Sequence, residues 1–141
     1  MTSENPELSF LSIEDLKEGQ NWSETIHITN GLVKTFISLT QDQAPVHTDH
    51  NHATQMGYKK PVVHGLLVGN GYSKILGMFL PGINTVIHKI ILEMLQPVFI
   101  NDFLTYKVEV SRVIPAVNST LLDLSATNQS NQLVNRGSAT C

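Results

Sequence analysis

Residues 62–80, VVHGLLVGNGYSKILGMFL, form the most apolar stretch of the 141-residue chain. His64, Asn70 and Lys74 interrupt it. A membrane span of about 20 residues does not normally carry such groups at its centre, so the stretch is expected to be a buried helix. Leu66, Leu67, Ile75, Leu76 and Phe79 lie among Gly65, Gly69, Gly71 and Gly77. Each glycine costs an isolated helix about 1 kcal/mol relative to alanine, so tertiary packing must favour them. The reading is a central helix, Gly65 to Phe79, that other backbone approaches closely.

Outward from this helix the periodicity changes. After the break at Leu80-Pro81-Gly82 come four apolar or alternating runs: Val86 to Leu95, Phe103 to Val113, Thr120 to Asn128 and Gln132 to Thr140. None has helical spacing, and each is bounded by Pro, Asn or Asp, which predicts a meander of strands. On the other side, Trp22, Glu24, Ile26 and Ile28 alternate with Ser23, Thr25 and His27. This predicts a strand with His27 on its polar face. Thr29 or Asn30 then caps a helix carrying Leu32, Val33, Phe36, Ile37 and Leu39 up to Gln41. Gly19 opens a turn, and residues 1–10 are expected to be a flexible arm. The order predicts one α+β domain, residues 11–141, in which an antiparallel sheet wraps a central helix. No repeat, low-complexity tract or internal linker divides it.

Composition narrows the function. Nine Lys and Arg against 12 Asp and Glu give a net charge of -3, so no cationic field draws a phosphate backbone, and nucleic acid is excluded as an expected partner. Charged residues make up 15% of the chain, below the roughly 25% of soluble domains, which points to a surface covered by another chain. Cys141 is the sole cysteine. There is accordingly no internal disulfide or thiolate metal cage, and a reducing compartment, the cytoplasm first, is expected. No export signal or membrane anchor is read from the sequence.

The densest chemistry lies between the first helix and the central one: Asp42-Gln43-Ala44-Pro45-Val46-His47, then Val62-Val63-His64-Gly65-Leu66-Leu67. A carboxylate and an imidazole five residues apart across a proline-restricted turn can converge on one small molecule such as water. These residues resemble the signature of the MaoC-like dehydratases, the (R)-specific enoyl-CoA hydratases of the hotdog fold: D-x-N-P-x-H followed by [IV]-V-H-G-[ML]-L. Asp49, Ala53, Gly57 and Pro61 match in the intervening stretch, and weaker similarity runs from about Leu11 to the last strands.

The resemblance implies a single MaoC-like hotdog domain that hydrates trans-2-enoyl thioesters of CoA or a carrier protein to (R)-3-hydroxyacyl thioesters, or runs the reverse dehydration. It implies that Asp42 and His47 are catalytic. Asp42 takes a proton from water, and His47 delivers one to the α-carbon. The N–H of Gly65, at a helix N-terminus, donates to the thioester carbonyl as an oxyanion hole. It further implies a homodimer with the acyl pocket between two chains. Val63, His64 and Leu66 are expected to bind substrate, although His64 also reads as a core histidine bonded to backbone. Lys59 and Lys60, the only adjacent basic pair, are candidates to meet the phosphates of a nucleotide-bearing thioester.

One position departs from the signature. Ala44 stands where the family has Asn and offers no side-chain donor or acceptor. The departure motivates two alternatives on the same fold, a non-catalytic or retuned acyl-thioester-binding accessory protein and a thioesterase. The second is opposed by the V-H-G segment.

The run His47-Thr48-Asp49-His50-Asn51-His52 suggests metal at first sight, but lacks helical i, i+4 ligand spacing. It is read instead as a short helix start capped by Asp49 or Asn51. No metal and no cofactor are expected. The glycines lack the lysine or acidic partner of phosphate-binding loops, and neither Ser38 nor Ser73 sits in a nucleophile elbow.

Overall fold

The alternating runs become strands. In the computed structural model, which describes residues 7–141, the strands β1 (Asn21–His27), β2 (Lys89–Met94), β3 (Phe103–Ile114), β4 (Ser119–Thr127) and β5 (Leu133–Thr140) form one antiparallel sheet, in the order β1-β3-β4-β5-β2. Period two assigns one face of the sheet to the core. Leu104, Tyr106, Val108 and Val110 of β3 and Leu122, Leu124 and Ala126 of β4 are buried. On the opposite face the hydroxyls of Thr25 and Thr105 share a 2.8 Å hydrogen bond.

The helices are α1 (Asn30–Thr40), α2 (Pro45–Thr48), α3 (His50–Gln55), α4 (Gly65–Gly69) and α5 (Gly71–Met78). Val68, Tyr72, Ile75 and Leu76 bring α4 and α5 into the same core as the sheet. This is the expected hotdog arrangement. Among the described residues no helix is long and apolar enough to cross a membrane.

The central helix is jointed where one continuous element was expected. Asn70 joins α4 to α5 and stays right-handed, at φ -62 and ψ -20. The joint follows from the Gly69-Asn70-Gly71 run, a poor helix former locked by its neighbours. A Cβ on Gly71 would stand 2.3 Å from the Tyr106 ring, so the close approach requires glycine. The Tyr106 hydroxyl donates to the carbonyl of Val68 at 2.7 Å. Tyr72 meets Tyr106 edge to face at 5.0 Å, and its hydroxyl donates to Oδ1 of the buried Asn135. Burial raises both phenols above their ordinary pKa and keeps them neutral donors.

Two other expectations shift. The run from Val86 enters the sheet only at Lys89, and Val86 is exposed. Trp22 lies on the expected face of β1 yet is 40% exposed, because β1 is an edge strand; it stacks on Phe79 at 4.5 Å. Residues 1–6 of the expected arm lie outside the described residues. Within that arm, Ser9 is anchored: its N–H donates to Met78 and its carbonyl accepts from Ile83.

Candidate active site

The loop after α1 is built to present Asp42. Gln41 closes the helix in the left-handed conformation, its N–H returning to the carbonyl of Ile37 at 2.8 Å. Asp42 then folds its carboxylate over the turn, with Oδ1 accepting the backbone N–H of Ala44 at 3.1 Å. Pro45 starts α2, and the N–H of His47 donates to the carbonyl of Ala44 at 2.9 Å. Asp49 caps α3 as expected, accepting from the N–H of His52 at 2.6 Å. His50 and His52 are exposed on that helix, outside the site.

His47 reaches across to the second half of the motif. Its Nδ1 lies 2.7 Å from the carbonyl of Val62. Facing a carbonyl, this nitrogen must carry hydrogen, which leaves Nε2 as the exchangeable position. The ring of His47 stacks on that of His64 at 3.9 Å, while Nε2 of His64 lies 3.0 Å from the backbone carbonyl of Asp42 and 4.0 Å from its carboxylate. One ligand atom from each of Asp42, His47 and His64 lies within 4.8 Å of the others. That reach would suit a metal ion, but Nε2 of His64 must carry hydrogen to face the carbonyl of Asp42, and its lone pair is on Nδ1. The arrangement fits hydrogen bonding better than ligation.

A cleft of about 290 Å³ opens beside the pair. His47, Tyr58, Val63, Gly65, Val68 and Met94 line it, and residues 95–98 close it. Gly65 begins α4, so its N–H has no intrahelical acceptor. A Cβ there would meet only the Met94 side chain, at 3.7 Å, inside the cleft. The N-terminus of α4 is fixed by the N–H of Val63 donating to Val98 at 2.8 Å. A larger groove of about 510 Å³ shares no residue with this one and lies at the opposite end of β2, near His88 and Cys141. Burial pushes the Cys141 thiol up to about 11, which leaves that groove without a ready thiolate.

His47, Val63 and Gly65 thus line the cleft, and Asp42 and His64 gather beside His47 without lining it, whereas Lys59, Lys60 and Leu66 stand apart from both. Lys59 sits over the Phe99 ring at 4.6 Å, and Lys60 reaches the carbonyl of Ile100 at 3.4 Å. Leu66 is 78% exposed because the first turn of α4 points it outward. Of the apolar side chains around the site, Val68 lines the cleft. Phe36 packs behind His64 at 5.0 Å, and Phe79 is taken up by Trp22. Tyr58, Met94 and Gln96 were not singled out by the sequence. Met94 was recoverable only as the end of an alternating strand.

A family model, the MaoC like domain, matches residues 13–129. An (R)-specific enoyl-CoA hydratase of Aeromonas caviae is 32% identical over 101 residues, 72% of this chain and 75% of that one. A protein of the same name from Rhodospirillum rubrum is 32% identical over 102 residues, 72% of this chain and 71% of that one. The solved (R)-hydratase from A. caviae involved in PHA biosynthesis superposes with a TM-score of 0.84 at 28% identity, over 90% of this chain and 96% of that chain. With the Asp42–His47 pair set beside a cleft at the start of the central helix, and the family model spanning most of the chain, this protein belongs to the MaoC-like domain family.

Proposed function

We propose that the chain is an acyl-thioester hydratase and dehydratase, which adds water to a trans-2-enoyl thioester of CoA or a carrier protein to give the (R)-3-hydroxyacyl thioester, and runs the reverse elimination. The observation that carries this reading is the convergence of a carboxylate and a tautomer-fixed imidazole beside an apolar cleft that begins at a free helix N–H. A water held by Asp42 and His47 can attack the β-carbon of an acyl chain lying in the cleft. Asp42 accepts the proton of the attacking water, and His47, charged through Nε2, delivers a proton to the α-carbon. Transfer from Asp42 back to His47 resets the pair. As the enolate oxygen develops charge, the N–H of Gly65 is available to donate to it. Both proton carriers are side chains, so the reaction needs no metal or cofactor.

Ala44 leaves the Asp42 carboxylate oriented, since the main-chain N–H at position 44 holds it and no side chain there is required. Ala44→Asn adds one donor near the water. It is expected to raise kcat by about 3- to 10-fold with Tm unchanged, a hydrogen-bond-sized effect read by steady-state kinetics and thermal melts.

A homodimer forms part of the same proposal. Among the described residues β2 pairs only with β5, and the strand exposes Ile90, Ile91 and Met94. Such an edge is a template for a second strand. Sedimentation is expected to give about twice the 15.6 kDa chain mass, and a monomer would overturn this part. The sole cysteine suits a reducing compartment such as the cytoplasm.

The reaction itself is tested by the enoyl absorbance of crotonyl-CoA mixed with the purified protein. Loss of absorbance with (R)-3-hydroxybutyryl-CoA as product supports the proposal. Unchanged absorbance with both CoA and carrier-protein enoyl thioesters overturns it.

A further inference from the structure

We infer that His64 is a positioning residue for this chemistry, an inference that rests on the proposed hydration: it ties the main chain of Asp42 to the ring of His47 at the start of the central helix. His64 is 2% exposed. Its Nε2–H donates to the carbonyl of Asp42, 22 residues away in sequence, at 3.0 Å. One face of the ring stacks on His47 at 3.9 Å with 26° between planes, and Phe36 tilts against it at 5.0 Å. Its own carbonyl accepts the N–H of Val68 in the first turn of α4, and the next residue is Gly65. One side chain therefore contacts the acid loop and the imidazole, while its backbone sets the helix start.

The burial of this imidazole needs a reason. Its Nδ1 is buried without a hydrogen-bond partner among the described residues, and an unsatisfied polar atom is unfavourable in the interior. An apolar side chain would fill the space without that cost. The bond to Asp42 is what an imidazole supplies and an aliphatic group does not. Since Nε2 stands 4.0 Å from the Asp42 carboxylate, beyond hydrogen-bond reach, His64 acts through the backbone of Asp42 and not on the water. Asp42 then has two anchors, the Ala44 N–H on its carboxylate and His64 on its carbonyl. With alanine at position 44, no side chain at that position supports the second.

The test compares His64→Leu with His64→Gln, whose side-chain amide can place a donor near the site of Nε2. With crotonyl-CoA, His64→Leu is expected to lower kcat by about 10- to 100-fold with KM within about 3-fold, the loss of one buried hydrogen bond read in the chemical step. His64→Gln is expected to recover most of the loss. Equal kcat in wild type and a folded His64→Leu overturns the inference, as does a His64→Gln no better than a folded His64→Leu. If His64→Leu does not fold, His64→Gln is judged alone, and a fall in kcat greater than about 100-fold counts against the inference.

Ring nitrogen NMR of the wild-type protein gives a reading independent of turnover. His64 as the Nε2–H tautomer, with the His47 ring signals displaced in His64→Gln, supports the tether. His64 as the Nδ1–H tautomer overturns it. A wild-type protein that turns nothing over defeats the hydratase reading, and the NMR result then decides the tether by itself.

Discussion

Asp42→Asn is expected to lower kcat for crotonyl-CoA hydration by at least about 10³-fold while the Kd for the thioester changes by less than about 3-fold, because general-base groups contribute on the order of 10²- to 10⁴-fold. The substitution is nearly isosteric. An asparagine Oδ1 can still accept the N–H of Ala44, so the turn that shapes the loop persists. What disappears is the negative charge and the ability to take a proton from water. The measurement is the enoyl absorbance decay together with calorimetric binding of a saturated acyl-CoA. His47→Ala is expected to cost a similar factor. The double variant should lose little more than either alone, since in the proposed reaction the two groups share one water and act as a unit. Retention of more than a tenth of wild-type kcat in Asp42→Asn would remove Asp42 from the chemistry and leave the cleft as a binding site.

The largest effect on stability is expected at Gly137. A Cβ built there would lie 1.8 Å from the carbonyl oxygen of Ile91, 2.9 Å from its carbonyl carbon and 3.1 Å from Cα of Leu92. All three are main-chain atoms of β2, so no side-chain rotation relieves the overlap. The strand must move, and Glu93↔Arg136 and Ile91↔Ser138 lie on either side in the ladder. Overpacked cores typically lose about 1 to 3 kcal/mol, and a backbone clash belongs at or above the upper end. Gly137→Ala is accordingly expected to lower Tm by about 10 °C in a chain of this length. Gly77→Ala is the control: nothing among the described residues lies within 4 Å of its added methyl, and a helical glycine replaced by alanine should gain about 0.5 to 1 kcal/mol. Thermal melts of the two variants should move in opposite directions.

The elements were legible wherever a local period determined them. Alternation through Leu104, Tyr106, Val108 and Val110 marks the buried face of β3 directly, and Thr29 accepts the N–H of Leu32 as a helix cap should. Asp42 and His47 were singled out by the resemblance of their stretch to the MaoC-like signature, since five-residue spacing across a proline is by itself a weak signal, and the fold sets them side by side. The rest of the site is assembled by contacts between distant segments. Met94 and Gln96 reach the cleft only because β2 pairs with β5, and the bond from His64 to the carbonyl of Asp42 depends on the fold of the intervening 21 residues. Lysines 59 and 60 show the converse. Their charge suggested phosphate, while the local chain turns both ammonium groups toward Phe99. Asn135 lies in a polar-looking strand and is fully buried because Tyr72 offers it a hydroxyl, a pairing that no spacing in the sequence announces.

The bond from Tyr106 to the carbonyl of Val68 also has a consequence for how such a protein diversifies. It pins the jointed helix to β3, so the frame that carries Gly65 does not depend on what the cleft holds. Val68 and Met94 are apolar side chains that line the cleft from α4 and β2. In the proposed reaction, selectivity for the acyl chain resides in this lining and proton transfer in Asp42 and His47, so the two can change separately.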